Sequence, residues 1–465
     1  MTEAGIRLAP GHLDQLRRAC ADIVTPDDAA YDDARRLWNG IHDRRPAVVA
    51  RPKNAEEVAS AVAFAREHDL EIAVQSGGHA AAGFAGRDGN LVVNLSNMRG
   101  VTVDARTRLA RANGGALLGE LDVAAQEHGL VCPVGVVGHT GVSGLTLGGG
   151  IGRLQRHFGL TIDNLLAVEL VTADGRLVRA TDTEEPELFW GLRGAGWNFG
   201  IATAFEFRLQ PFGPDLHRGV LTYPAARVHE VWDIFRDFAR HAPDALALIF
   251  GIAKAGEAEG YSDDVVGRPI VYVAWNHSGS ADEAERDTGP LRIPQPLTTV
   301  IGSQPYLEVQ TAHDLTYGWG SRSFINSHYG DDIRAEALDA LVELVASAPG
   351  TSSFSATVQG GAIGRIAEDA TAYAGRQSAF DLSADSDWSD AADDDANIDW
   401  CRRALAVVEP DRTLGAYANG NSDTGPEQAR RVFGDAKLAR LGALKHAWDP
   451  DNVFHVNPNV EPAPS

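Results

Sequence analysis

The amino-acid sequence predicts an α+β protein of more than one structural unit, and three observations carry that expectation. Short apolar strands alternate with amphipathic helices from about 46 to 209. The glycine clusters of that region stop at Pro211-Phe212-Gly213-Pro214. Longer amphipathic helices interleaved with strands then continue to about 414.

Element by element, Asn54 is placed to cap a helix whose first turn carries Glu56 and Glu57 and whose inner face carries Val58, Val62 and Ala65. That helix gives way at Asp69, and 70–74 reads as a strand feeding into Gln75-Ser76-Gly77-Gly78-His79. Further strands are expected at 91–95 and 101–112, and a helix over 116–128 ends at Gly129. The stretch 165–180 reads as a hairpin turned at Asp174-Gly175. A short helix at 187–193, a loop at 194–198 and an apolar strand at 199–209 close the first region. Beyond it, helices are expected at 225–241, 281–287 and 333–347, and strands at 247–253, 269–275 and 353–359. The acidic segment 385–395 reads as a solvated loop leading into a helix through Trp400 and Ala404. The chain then turns near Leu414 and forms a helix over 427–448 before the terminal motif DPDNVFHVNPNV.

Composition narrows the function. The chain has 465 residues, 44% of them hydrophobic and 23% charged, and a net charge of −23. That charge repels phosphate backbones and anionic lipid, and lysine occurs only at 53, 254, 437 and 445, so small molecules are the expected partners. Cys20, Cys132 and Cys401 lie far apart and show no metal-ligand spacing, which predicts neither disulfides nor a metal site. No apolar run approaches membrane-spanning length, and the first twenty residues lack the basic-then-apolar pattern of a secretory leader, so a cytoplasmic location is expected.

Two motifs point to chemistry. The first is the strand-loop ending in His79. The second, Thr140 to Gly152, carries six glycines in thirteen residues, an entropic cost best offset where backbone N–H groups must approach a phosphate. Its glycine spacing is not that of a Rossmann dinucleotide site, and no Gly-Lys-Ser/Thr ending makes it a Walker loop, which disfavours a nicotinamide-dependent dehydrogenase.

Together with Asp163-Asn164, the run 187–200, Gly360-Gly361-Ala362, Thr371-Ala372-Tyr373 and the terminal DPDNVF with Asn457, these motifs resemble the berberine-bridge-enzyme-like branch of the vanillyl-alcohol oxidase and p-cresol methylhydroxylase superfamily. The resemblance spans nearly the whole chain. It implies a two-subdomain FAD-binding domain at 1–209 completed by 415–465, and an α+β substrate domain with an antiparallel sheet at 210–414. It also implies an oxidase that passes a hydride from a small organic substrate, such as an alcohol, a phenol or an intermediate of secondary metabolism, to flavin N5, with dioxygen as the expected acceptor.

The resemblance assigns His79 as the covalent tether to the flavin. Relatives with a second tether carry a cysteine where this chain has Val137, so attachment through His79 alone is expected and Cys132 is expected to be a buried thiol. In the first loop it places Gln75, Ser76, Gly77, Gly78, Gly83 and Phe84 at the cofactor, although relatives commonly carry arginine at the position of Gln75 and serine at that of Ala80. Gly114 joins them. From the second loop it adds Val137, Gly138, His139, Thr140 and Gly141, then Ser143, Gly144, Leu147, Gly149 and Gly150. Gly200, Ile201 and Asn457 complete the set, while Trp197, where relatives mostly have glycine, is expected to fill the core. Tyr417 and Asn419 are implied to lie on a strand facing the flavin as catalytic residues. A phenol acting there as a base would need its anion stabilised, since its ordinary pKa is about 10.

Substrate-facing positions are expected at Trp319, Arg322, Ser355, Thr357 and Gln359, with Tyr317, Asn326 and His328 near them. The strand 353–359 has no acidic residue, so it offers no carboxylate base. Two alternatives stay open: a carbohydrate oxidase of the same family, made less favourable by Val137, and a flavin-binding protein without turnover, against which Tyr417 and Asn419 argue.

Overall fold

The computed structural model describes residues 8–257 and 260–464, so the reading of residues 1–7 as free of a leader lies outside the described part. The architecture is α+β, with a four-stranded, a five-stranded and a seven-stranded sheet and one two-stranded ribbon. Val48–Ala50, Leu91–Asn94 and Ile72–Gln75 run parallel at the heart of the first sheet. The helix Ala55–Glu67 packs on them, and Asn54 caps it by accepting from the Glu57 N–H at 2.9 Å.

The five-stranded sheet is antiparallel, in the order Val101–Asp104, Leu109–Asn113, Ile201–Arg208, Leu165–Val171, Leu177–Ala180. The single strand expected at 101–112 is therefore two. Asp104 Oδ1 accepts from the Arg106 and Thr107 N–H groups and folds the chain back, with Arg108 at φ 55°.

The seven-stranded sheet is wholly antiparallel and reads Thr298–Pro305, Asp215–Pro224, Pro269–His277, Leu246–Lys254, Thr351–Val358, Phe380–Trp388, Arg322–Gly330. One face is covered by the helices Val228–Ala239, Ala335–Ala346 and Asp394–Val408, whose Trp232, Phe235, Leu341 and Trp400 form the core with Phe250, Phe354 and Leu382. The other face is turned toward the glycine loops.

Here the expectation for 385–395 fails. Its first residues belong to the strand Phe380–Trp388, because Phe380, Leu382, Ala384, Ser386 and Trp388 alternate onto the helix-covered face and hold the acidic residues between them in a ladder. The strands Asp215–Pro224 and Thr298–Pro305 were not anticipated either, whereas Arg322–Gly330 falls where the resemblance implied a substrate-facing strand.

The C-terminal helix Pro426–Trp448, bent at Gly434 (φ 71°), returns to the first region and packs Val432, Phe433, Leu441 and Leu444 beside Phe205 and Phe207. Its last turn carries Lys445, fully buried, which donates to Asp449 Oδ2 at 2.7 Å, Asn198 O at 2.8 Å and Phe454 O at 2.9 Å. Asp449 in turn accepts from the Val453 and Phe454 N–H groups. The DPDNVF motif is thus the knot that ties the chain's last segment to the loop before Gly200.

Candidate active site

A cavity of about 760 Å³ lies between the glycine loops and the open face of the seven-stranded sheet. The strand Ile72–Gln75 delivers the first loop to its wall. Trp38 fixes that loop: its N–H donates to Gly78 O at 3.1 Å, its indole N–H donates to Tyr317 O at 2.7 Å, and its ring stacks on His79 with centroids 5.0 Å apart. Among the described residues the N–H groups of Gly77, Gly78 and His79 meet no hydrogen-bond acceptor. Backbone donors left unpaired beside a cavity call for an anionic or carbonyl-bearing ligand.

His79 Nε2 lies 2.6 Å from His139 Nδ1, and His139 Nε2 lies 3.2 Å from the Asp314 carbonyl oxygen. A carbonyl only accepts, so His139 carries its proton on Nε2 and its Nδ1 is a lone pair. His79 must then donate from Nε2, which leaves Nδ1 unprotonated on a ring that lines the cavity. Burial, reinforced by His139, pulls the His79 pKa down to about 3, so the imidazole is neutral and nucleophilic at physiological pH.

The second loop enters through the short helix Val142–Leu147. The two loops touch backbone to backbone: a Cβ on Gly77 would sit 2.1 Å from Gly141 N, and one on Gly141 2.3 Å from Gly77 N. Gly144 differs, since a Cβ there would meet nothing within 4 Å and would project from a residue on the cavity wall. Thr140, Ser143, Leu147 and Val137 also line the cavity, as do Ser76, Phe84, Gly200, Ile201 and Asn457. Ile72, Val74, Leu95, Phe454 and Val456 give one stretch of it an apolar lining.

Tyr417 and Asn419 reach the cavity too, but not from a strand. Tyr417 immediately precedes the 3-10 turn Ala418–Gly420. Its hydroxyl oxygen accepts from the Ile151 N–H at 3.2 Å and from Asn419 Nδ2 at 3.0 Å. Burial nevertheless holds the phenol above its ordinary pKa, so Tyr417 rests protonated.

Several of the expected cofactor residues do not line the cavity. Gln75 lies buried beneath the loop, with Nε2 donating to Arg36 O and Oε1 accepting from Asn94, and it does not line the cavity. Gly83 serves a turn at φ 73° against His42. Gly114 offers its carbonyl to Ser76 and Ser143, and the Gly138 N–H is taken by Asp314 Oδ1 at 2.6 Å. Gly149 and Gly150 make room for Tyr373 and Thr161. His139 acts through His79 rather than lining the cavity. These glycines let chain segments approach one another; only part of the cluster faces the space between them.

On the opposite side, Ser355 and Thr357 face the cavity, whereas Arg322 is paired with Asp394, and Trp319 does not line the cavity but packs between Arg36 and the edge of His79, ring centroids 6.1 Å apart. Gln359 lies past the end of its strand, with its carbonyl taken by Arg156. Asn326 is engaged with Asp423, and His328 is buried away from the wall. Trp197, expected in the core, packs against it and also forms part of the wall, donating to Gly144 O at 3.3 Å. Cys132 is fully buried in the apolar core.

Sequence reasoning missed the sheet's acidic row. Asp381, Asp385 and Asp387 all line the cavity from the strand Phe380–Trp388. Burial raises Asp381 and Asp385 to about 7 and raises Asp387 as well. Arg153 and Arg218 line the cavity elsewhere, Arg218 from Asp215–Pro224, four strands along the sheet. The two-residue alternation of apolar and acidic side chains from 380 to 388 was the available signal.

Residues 46–181 match a family model described as FAD binding domain, and 416–461 one described as berberine and berberine like. Over 453 residues the chain is 31% identical to (R)-6-hydroxynicotine oxidase of Paenarthrobacter nicotinovorans, covering 95% of this chain and 96% of that one. An FAD-linked oxidoreductase of Dictyostelium discoideum is 29% identical over 437 residues, 92% of each chain. The crystal structure of 6-hydroxy-D-nicotine oxidase from Arthrobacter nicotinovorans superposes with a TM-score of 0.85 at 29% identity, covering 95% of this chain and 98% of that one. Xylooligosaccharide oxidase from Myceliophthora thermophila, in complex with xylobiose, shares the fold at a TM-score of 0.85 and 23% identity, covering 98% and 100%.

Proposed function

Because the chain belongs to the FAD-linked oxidoreductases of the vanillyl-alcohol oxidase and p-cresol methylhydroxylase superfamily, in their berberine-like branch, we propose that it is an oxidase holding FAD covalently through His79 alone and oxidising a small organic substrate. The observation that carries the tether is the histidine pair: a neutral imidazole, on a residue that lines the cavity, whose only proton is committed to His139 and whose Nδ1 keeps its lone pair. Val137, on the cavity wall, offers no thiol for a second bond, and Cys132 is held in the core.

The residues present suit the cofactor. The unpaired N–H groups of Gly77 to His79 match a pyrophosphate or a flavin carbonyl, and the apolar stretch around Ile72, Leu95 and Phe454 suits a flat heteroaromatic ring. When bound, FAD supplies a two-electron acceptor that takes a hydride at N5 and is reoxidised by dioxygen. Tyr417, with two N–H donors on its oxygen and its own proton free, orients a polar group of the substrate and controls its proton. The proposal assigns 1–209 with 415–465 to the cofactor and 210–414 to the substrate.

Acid precipitation tests the tether. The washed precipitate is expected to stay yellow and fluorescent, and His79→Ala is expected to release the colour on precipitation. A colourless protein that takes up no added FAD would overturn the proposal, as would a His79→Ala precipitate as yellow as the wild type.

A further inference from the structure

Two stretches that stand out in the sequence take no part in the cavity wall: Asp163-Asn164 and Thr371-Ala372-Tyr373. Both supply contacts to the turn Gly149-Gly150-Ile151, which carries a hydrogen bond to Tyr417. In the 3-10 turn Thr161–Asp163, the Thr161 N–H donates to Gly150 O at 3.0 Å and the Ile162 N–H to Gly149 O at 3.1 Å. In a trans peptide the N–H points opposite to the C=O that shares its plane. With both carbonyls held toward 161–162, the N–H groups of Gly150 and Ile151 are aimed the other way, at the Tyr417 oxygen. The Ile151 bond measures 3.2 Å, and the Gly150 N–H favours the phenolate as well.

Side chains lock the turn in place. A Cβ on Gly149 would lie 2.6 Å from the Tyr373 ring, and one on Gly150 2.1 Å from Thr161 Oγ1, so both spaces are filled. The guanidinium of Arg376, fully buried, stands 5.4 Å over the Tyr373 ring and is bound by Asp163 at 2.7 and 3.1 Å. Asp163 also accepts from the Leu160 N–H at 2.9 Å. One carboxylate therefore ties the 161–163 turn to the support of the Tyr373 ring.

The Tyr417 oxygen thus has Asn419 Nδ2 at 3.0 Å and two peptide N–H groups turned toward it. A phenol oxygen that keeps its proton has at most two lone pairs to offer, so three donors fit it better once it carries charge. Asp381, Tyr329 and Tyr373 are the titratable groups that face it, and none of them supplies positive charge. Stabilising an anion there is the work of the N–H groups.

We propose that Thr161, Asp163 and Tyr373 are positioning residues for Tyr417: they hold the glycine turn so that its N–H groups, with Asn419, converge on the phenol oxygen and stabilise negative charge there. The inference rests on Tyr417 as the group that controls the substrate's proton, and names what prepares it. It also gives Gly149 and Gly150 a duty other than the cofactor contact expected from sequence.

The test replaces Tyr417 with difluorotyrosine, a more acidic phenol, in the full-length protein with its cofactor, and follows the probe's ionisation against pH by fluorine NMR. Tyr373→Leu removes the ring and is expected to lower the probe's acidity about tenfold. Tyr373→Phe keeps the ring and is expected to stay within about twofold of the parent. Thr161→Val keeps the shape but loses the hydroxyl bonds to Pro133 O and Gly150 O; it is expected to lower the acidity about threefold, and it decides the matter where Tyr373→Leu does not fold. Acidity unchanged in the folded variants would overturn the proposal, as would a loss in Tyr373→Phe as large as that in Tyr373→Leu. A colourless protein that shows these losses would sink the flavin proposal and keep this one; a yellow protein without them would do the reverse.

Discussion

Exchanging Gly77 and Gly144 for alanine, one at a time, separates the two duties of the glycine loops. A Cβ on Gly77 would lie 2.1 Å from Gly141 N and 2.8 Å from Gly141 Cα, whereas ordinary van der Waals contact begins at 3.4 Å. Both neighbours are backbone, so no side chain can swing away, and the loops must separate by about 1 Å. Overpacking of this kind costs about 3 kcal/mol when rigid backbone is the obstacle. Gly144 lies inside the helix Val142–Leu147 with open space around its missing Cβ. Alanine there stabilises a helix by about 0.5–1 kcal/mol, yet its methyl group occupies room on the cavity wall. Gly77→Ala is therefore expected to lower the melting temperature with or without FAD, and Gly144→Ala to leave the FAD-free protein at least as stable while reducing the fraction that retains the pigment. Differential scanning fluorimetry and the ratio of flavin to protein absorbance measure the two effects. A Gly77→Ala protein as stable as the wild type would refute the loop-against-loop contact, and a fully flavinated Gly144→Ala protein would refute the assignment of that space to the cofactor.

Three further outcomes are expected. Lys445→Met leaves Asp449 buried without a cation and should cost about 3–5 kcal/mol by chemical denaturation; a loss below about 1 kcal/mol would show that the knot is dispensable. Tyr417→Phe should retain flavin but lower turnover about a hundredfold, and unchanged turnover would remove Tyr417 from the chemistry. Asp385 is held at about 7 in the folded protein, above the unfolded carboxylate range, so its contribution to stability is present at low pH and is lost as pH rises through about 7. Between pH 5 and 8 the wild type should therefore lose up to about 2 kcal/mol relative to Asp385→Asn, measured by paired melts, and parallel curves would contradict the burial of that charge.

Those features whose cause is local were readable in the sequence. Asn54 with Glu57, the strand into His79 and the turn at Asp174-Gly175 each follow from a few adjacent residues. The glycine loops could be recognised as a site, but not which glycine faced a ligand and which faced Tyr373, Thr161 or Gly141, because those partners come from elsewhere in the fold. Gln75 looked available until Arg36 and Asn94 took both ends of its amide. The acidic row was hidden for a related reason. Asp385 and Asp387 read as a solvated charge run until the pairing with Arg322–Gly330 and Thr351–Val358 showed which side of the sheet they occupy.

The knot at Lys445 has a consequence for biogenesis. Phe454, Val456 and Asn457 share a wall with His79, and they are held there by a lysine nearly four hundred residues downstream of that histidine. A nascent chain still short of position 458 lacks one side of the compartment, however well its earlier parts have folded. On the proposed assignment of this compartment to FAD, pigment capture waits until translation has passed that point, and cells starved of riboflavin should accumulate a finished polypeptide awaiting its prosthetic group.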